Sequence, residues 1–106
     1  MTGYDGESQP DRGEIDRLAG PTLLEFGSPT CGHCLRAQPA IATAIADHPR
    51  VRHLKIADGR GLPLGRSFGV KLWPTLVFLS DGVEVSRLVR PLESAPIASE
   101  LKRIAG

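Results

Sequence analysis

The chain holds two cysteines, Cys31 and Cys34, with Gly32 and His33 between them. A cysteine attacks as its thiolate, and at a helix start that anion is stabilised by unpaired backbone N–H groups and the positive end of the helix dipole. A residue three positions on lies one turn deeper on the same helix face. If a helix begins here, Cys31 can attack a disulfide and Cys34 can then displace the substrate, leaving a Cys31–Cys34 bond. Cys31 is therefore the expected nucleophile, Cys34 the expected resolving thiol, and the two together an expected redox-active disulfide. A four-ligand zinc site would need two more Cys or His ligands. His33 projects from between the cysteines and His48 and His53 lie far along the chain, so no metal is expected. A purely structural bridge closing so short a loop removes little chain entropy and invites strain.

Three other residues stand out by type. A protonated His33 sets a cation beside the Cys31 thiolate, whereas the neutral ring is a polar surface group. Glu25 interrupts the apolar segment 22–26 (TLLEF). Burial there makes a carboxylate costly and is expected to raise its pKa, the alternative being a wet strand end. Trp73 is either a substrate-facing aromatic or a core filler.

The elements that must position these residues follow from period and punctuation. A short helix is expected over 10–19, stopped by Gly20-Pro21, then a strand over 22–26 and a turn through Gly27-Ser28-Pro29-Thr30. The cysteines thus sit where a strand hands over to a helix. That helix, 32 to about 47, offers Leu35, Ile41 and Ile45 for one buried stripe and is interrupted by Pro39. A strand over 51–57, a helical turn over 64–68 and a strand over 75–79 come next. Asp81-Gly82 is a hairpin signal into a strand at 83–89, and a closing helix is expected over 95–104 with Leu101 and Ile104 inward. Strands separated by helices imply parallel pairing through crossovers, with the final hairpin adding an antiparallel strand.

Composition narrows the setting. A length of 106 residues suits one domain, and 41% apolar with 24% charged residues is ordinary for a globular chain. Thirteen basic against 12 acidic residues leave +1, far from the excess a nucleic-acid binder needs, so no nucleic acid is expected. No apolar run is long enough for a membrane span and no basic, apolar leader opens the chain, so a soluble cytoplasmic protein without a membrane partner is expected. Residues 1–9 read as a flexible tail on a domain spanning 1–106.

With Cys31-Gly32-His33-Cys34 after a strand, Pro39 in the next helix, Phe68-Gly69-Val70 leading to Trp73-Pro74-Thr75, and Ser80-Asp81-Gly82 at the last hairpin, the chain resembles a thioredoxin-fold oxidoreductase over 22–105. Its CGHC is similar to that of protein disulfide isomerases, whereas thioredoxins carry Pro in place of His33. The resemblance implies an α/β thioredoxin fold, a central mixed four-stranded sheet with helices on both faces. The family's extra N-terminal strand has no counterpart in 1–13. It implies that Glu25 is the buried acid that shuttles the resolving thiol's proton, directly or through water. Pro74 would be the cis-proline facing the disulfide, and Gly32, Trp73, Pro74 and Thr75 would bind an extended substrate segment. Two departures bear on substrate contacts: no Trp precedes Cys31, and Arg90-Pro91 occupies a connection that packs closely in the family.

The activity so implied is thiol–disulfide exchange that reduces or exchanges disulfides of client proteins, in redox homeostasis and electron transport. The alternatives are net thiol oxidation or isomerisation, which CGHC favours, and a redox-sensing binding module with little turnover. A glutathione-dependent role is weakened because no Gly-Gly pair follows the Pro74 strand. The chain carries no nucleotide-binding fingerprint, so no cofactor is expected and electrons must come from a separate thiol reductase or thiol pool. A monomer is expected.

Overall fold

The computed structural model describes Tyr4 and residues 9–105. Four strands, β1 (Pro21–Gly27), β2 (Arg52–Ala57), β3 (Thr75–Ser80) and β4 (Val83–Val89), form one sheet in the order β2-β1-β3-β4. Helices α1 (Arg12–Asp16), α2 (Gly32–Ala46), α3 (Pro63–Ser67) and α4 (Ser94–Ala105) alternate with them. The expected mixed sheet and its helices are present. Helix α1 is shorter than 10–19 because Asp11 opens it late: its carboxylate accepts from the N–H of Glu14, whose own side chain accepts from the Asp11 N–H.

One pairing differs from expectation. β1 and β2 are parallel, but β3 runs antiparallel to β1, with Thr75 opposite Phe26. The reason is how the 58–74 connection folds: the bridge between Gly59 and Leu62, the short helix α3 and the turns around it bring the chain back to the end of the sheet that it left. The chain therefore enters β3 from the end at which β1 and β2 finish. Trp73 and Pro74 are delivered to the same end of the sheet as Cys31.

The sheet divides two apolar layers. Leu24, Phe26, Ile56, Val77 and Leu79 pack with Ile15 of α1 and Leu64 of α3 on one face. Leu23, Leu76 and Phe78 pack with Ala37, Ile41 and Ala44 of α2 and Ile97, Leu101 and Ile104 of α4 on the other. The buried stripe of α2 starts at Cys34 and is built largely of alanine, which lets the helix lie close to the sheet. Leu35 does not join it: the next residue along is rotated about 100° away, and its side chain is 65% exposed.

The β3–β4 ladder shifts register between Phe78 and Leu79, and Val83, Val85 and Val89 face outward on β4. Asp81 and Gly82, at φ 50° and 79°, form a hairpin turn of the type that requires positive φ at both positions. The turn is tied to the start of β1, where the Gly20 N–H donates to Asp81 Oδ1 at 2.8 Å.

Gly82 also packs against α1, since a Cβ there would sit 2.1 Å from the carbonyl oxygen of Asp16. Gly82→Ala is expected to destabilise the fold by about 2 kcal/mol or more, from left-handed strain plus backbone collision. Urea denaturation measures it, and a stability equal to that of the parent would refute the packing described.

Candidate functional site

The carboxyl end of β1 leads through Ser28, Pro29 and Thr30 to Cys31, whose N–H donates to Ser28 O at 3.2 Å. Cys31 is the N-cap of α2, with extended backbone, and its Sγ accepts the Cys34 N–H at 3.1 Å. The sulfur thus does the work that a serine or aspartate oxygen does in an ordinary cap, and an orphan helix donor points at it. Both cysteines are free thiols. Cys31 is half-buried while Cys34 is 1% exposed. Burial, then hydrogen bonding and charge from Cys31, push the Cys34 thiol up to about 11.

Trp73 stands beside this pair. The Trp73–Pro74 peptide is cis, and the carbonyl of Trp73 lies 3.9 Å from Cys31 Sγ. The same carbonyl accepts from Arg90 Nε at 2.8 Å. Arg90, at φ 53°, also donates its N–H to Pro74 O at 2.9 Å, so this connection is closed by an arginine held in the left-handed region. The Trp73 ring is half-buried rather than a core filler. Its Nε1 donates to Asp58 Oδ2 at 2.9 Å, and the ring walls a groove of about 510 Å³ with Arg60, Leu62, Arg66 and Lys71. Thr75, by contrast, is 1% exposed and donates to Leu72 O at 2.5 Å. Its side chain anchors the start of β3 and is closed off from solvent. Gly32 is exposed in the first turn of α2.

His33 is exposed beside Gly32, with Nδ1 accepting from Arg36 Nη2 at 3.0 Å. Desolvation, then the Arg90 and Arg36 charges, lower its pKa. Of the two states open to His33, the neutral ring is thus favoured near neutrality, and the fixed positive charges beside it are Arg36 and Arg90.

Glu25 is fully buried, as its place in TLLEF implies, but its pKa moves the other way from expectation. Burial alone raises it; hydrogen bonds from His53, Gln38 and Tyr4 and the charge of Lys55 outweigh that and bring it below the ordinary value. His53 Nε2 lies 2.7 Å from Oε1 and Gln38 Nε2 2.8 Å from Oε2. Tyr4 donates its hydroxyl to Oε2, and Lys55 Nζ stands 3.9 Å from the same oxygen while donating to Gln38 Oε1 at 2.7 Å. Tyr4 falls in the segment expected to be a loose tail. It is seated because its hydroxyl serves a buried carboxylate and its ring fills the space that Gly27 leaves open. Gln9 is anchored too, donating to Ala57 O at 2.8 Å, whereas the rest of 1–9 lies outside the described residues.

Sequence reasoning missed Tyr4, Gln38, His53, Lys55, Asp58 and Arg90. Two carried a readable signal: Gln38 is four residues after Cys34 on one helix face, and Lys55 pairs directly with Glu25 in the parallel ladder. Among the described residues, no group of three or more His, Cys, Asp or Glu is placed to hold a metal ion.

Two outcomes follow from these environments. With its pKa near 11, only about one Cys34 in a thousand is thiolate at pH 8. Iodoacetamide at pH 8 is therefore expected to label Cys31 and spare Cys34 by peptide mass, and equal labelling would overturn the inequality. Because the folded pKa of Glu25 is depressed, its contribution to stability is present above the usual carboxylate pKa and fades as pH falls through the folded value. Glu25→Gln is expected to cost about 1–3 kcal/mol at pH 7 and less at pH 3 by urea titration; a cost that grows on acidification would contradict this.

The family model described as thioredoxin matches residues 12–103. Thioredoxin 2 of Pseudomonas aeruginosa PAO1, solved in its reduced form, is 54% identical with a TM-score of 0.86, covering 97% of this chain and 94% of that one. Thioredoxin of Chlamydia muridarum is 34% identical over 71 residues, 67% of this chain and 70% of the relative. Protein disulfide-isomerase A2 of Pongo abelii is 37% identical over 90 residues, 79% of this chain, which spans only 17% of that longer protein. With the family model spanning most of the chain and the thiol pair at the head of α2, the chain belongs to the thioredoxin family of thiol–disulfide oxidoreductases.

Proposed function

We infer that this chain reduces or exchanges disulfides of client proteins through the Cys31/Cys34 couple. The Cys31 thiolate attacks a client disulfide, forming a Cys31–client bond and releasing one client thiolate. Cys34 then loses its proton and attacks the Cys31 sulfur. A Cys31–Cys34 disulfide forms, the second client thiolate leaves with its electron pair, and two electrons have passed to the client. The observation that carries this reading is the inequality of the thiols: one half-exposed at a helix N-cap with an N–H aimed at its sulfur, the other buried one turn deeper.

Reduction is favoured over net oxidation by two features. The similarity to thioredoxin 2 runs along nearly the whole of both chains, while the isomerases are matched over a small part of their length. A largely neutral His33 supplies no charge to stabilise the dithiol form, which is what makes a disulfide more oxidising. A reducing, cytoplasmic setting suits a dithiol that starts its cycle reduced, and among the described residues no helix is long and apolar enough to cross a membrane. Re-reduction falls to a separate thiol reductase or thiol pool. Clients approach past Trp73, Pro74 and the exposed Arg36 and Arg90, so carboxylates flanking the client disulfide suit this rim. We read the whole chain as one domain acting as a monomer.

Cys34→Ser is expected to accumulate mixed disulfides with clients, visible as adducts on non-reducing gels, while Cys31→Ser accumulates few. Both should lose insulin reduction with dithiothreitol by orders of magnitude. Adducts forming equally well through Cys34 alone would reverse the assigned roles.

A further inference from the structure

The resolving step needs Cys34 to surrender a proton at a pH well below its own pKa of about 11. Glu25, read above as the acceptor, is spoken for on both oxygens by donors, and none of its direct partners is a cysteine. What stands beside both groups is Tyr4. The Cβ position of Gly27 lies 2.7 Å from Cys34 Sγ and 2.7 Å from the ring carbon of Tyr4 that bears the hydroxyl, so the two are within about 5.4 Å of one another. The hydroxyl itself donates to Glu25 Oε2, and its nearness to the Cys34 sulfur lowers that thiol's pKa against the larger effect of burial. A hydroxyl is both donor and acceptor, so the Tyr4 oxygen can take one proton while giving up another.

We propose that the Tyr4 hydroxyl relays the proton of Cys34 to Glu25 during resolution of the mixed disulfide. The thiol proton passes to the Tyr4 oxygen as the Tyr4 proton passes to Glu25 Oε2. The sulfur lone pair so exposed attacks Cys31, the Cys34–Cys31 bond forms, and the Cys31–client bond breaks with its electrons leaving on the client sulfur. Glu25 later releases its proton to solvent by the reverse route or through His53. The tyrosine is neutral before and after the step. A free tyrosinate is not required, which accords with burial and the adjacent Glu25 holding the phenol far above its ordinary pKa. Gln38 keeps the relay in line: its Nε2 lies 3.3 Å from the Tyr4 oxygen and 2.8 Å from Glu25 Oε2, and 2.9 Å from the carbonyl of Cys34. Gly27 is required by the same arrangement, since any side chain there would displace the ring or the sulfur.

The proposal rests on Glu25 being the proton acceptor, and the test separates the two ideas. A symmetric chromogenic aryl disulfide releases one coloured thiolate when Cys31 attacks and a second when Cys34 resolves, so stopped-flow absorbance times each step in a single turnover. Tyr4→Phe keeps the ring over Gly27 and removes only the hydroxyl, and its fold is checked by circular dichroism and urea titration. Expected is a second release slowed by about tenfold or more at pH 7, with the first unchanged. The second release should also gain a rate that climbs with pH, because solvent base must now take the proton. Glu25→Gln should be slowed similarly, and the double variant no further than the slower single one, as for two groups in series. If Tyr4→Phe resolves as fast as the parent while Glu25→Gln is slow, the relay is wrong and Glu25 is reached by another path. If neither is slowed, both the relay and the acceptor role fall. Multiplying defects in the double variant would place the two groups on separate routes and overturn the relay.

Discussion

A carboxylate sealed from water is the constraint on which this molecule is organised. Left unpaired, Glu25 would cost several kcal/mol, a large part of what a domain of this size has in hand. It is instead supplied with donors from β2, from α2 and from the segment before α1. Meeting that demand fixes several things together. The β1–β2 register must set Lys55 opposite Glu25 and His53 on the same face. The rotation of α2 must turn Gln38 toward the sheet, and the residue one turn earlier on that face is Cys34. Among the described residues no buried side-chain nitrogen or oxygen lacks a partner.

The unequal chemistry of the two thiols follows from geometry rather than from the residues themselves. Both are cysteines of one helical turn, yet one caps the helix with solvent on its outer side and the other lies against the sheet. The same N–H that satisfies the helix end bridges them, from Cys34 to the Cys31 sulfur. Trp73 closes the third side because β3 is entered from the end where β1 stops.

Much of this was legible in the sequence, because local rules govern it. The strand-to-helix junction at the cysteines, the Asp81-Gly82 turn and the apolar faces of β1, β3 and α4 all follow from period and punctuation. Glu25 announced itself as a charge in an apolar run, and its burial is what the pattern implied. The sign of its pKa shift did not follow, since that depends on three donors remote in sequence outweighing burial. The direction of β3 was misjudged because alternation of helices and strands suggests crossovers, whereas the 58–74 connection turns back to the end of the sheet that it left. Thr75 looked like a substrate contact by position, but its side chain turns inward. Tyr4 left no trace at all: one aromatic in a polar stretch has no periodicity, and its role exists only once β1, α2 and β2 have assembled the pocket it enters.

The register shift in the β3–β4 ladder bears on how molecules of this protein meet one another. Strand β4 is the outer strand on its side of the sheet and carries outward-facing Val83, Val85 and Val89, the combination that recruits a strand from a second chain and seeds aggregation. The irregularity at Phe78 and Leu79 breaks the even spacing that such recruitment copies. Glu84 and Arg87, joined at 2.6 Å on the same strand, add charge that an incoming apolar strand would have to bury. The sheet margin is thereby ill-suited to being extended by a second chain.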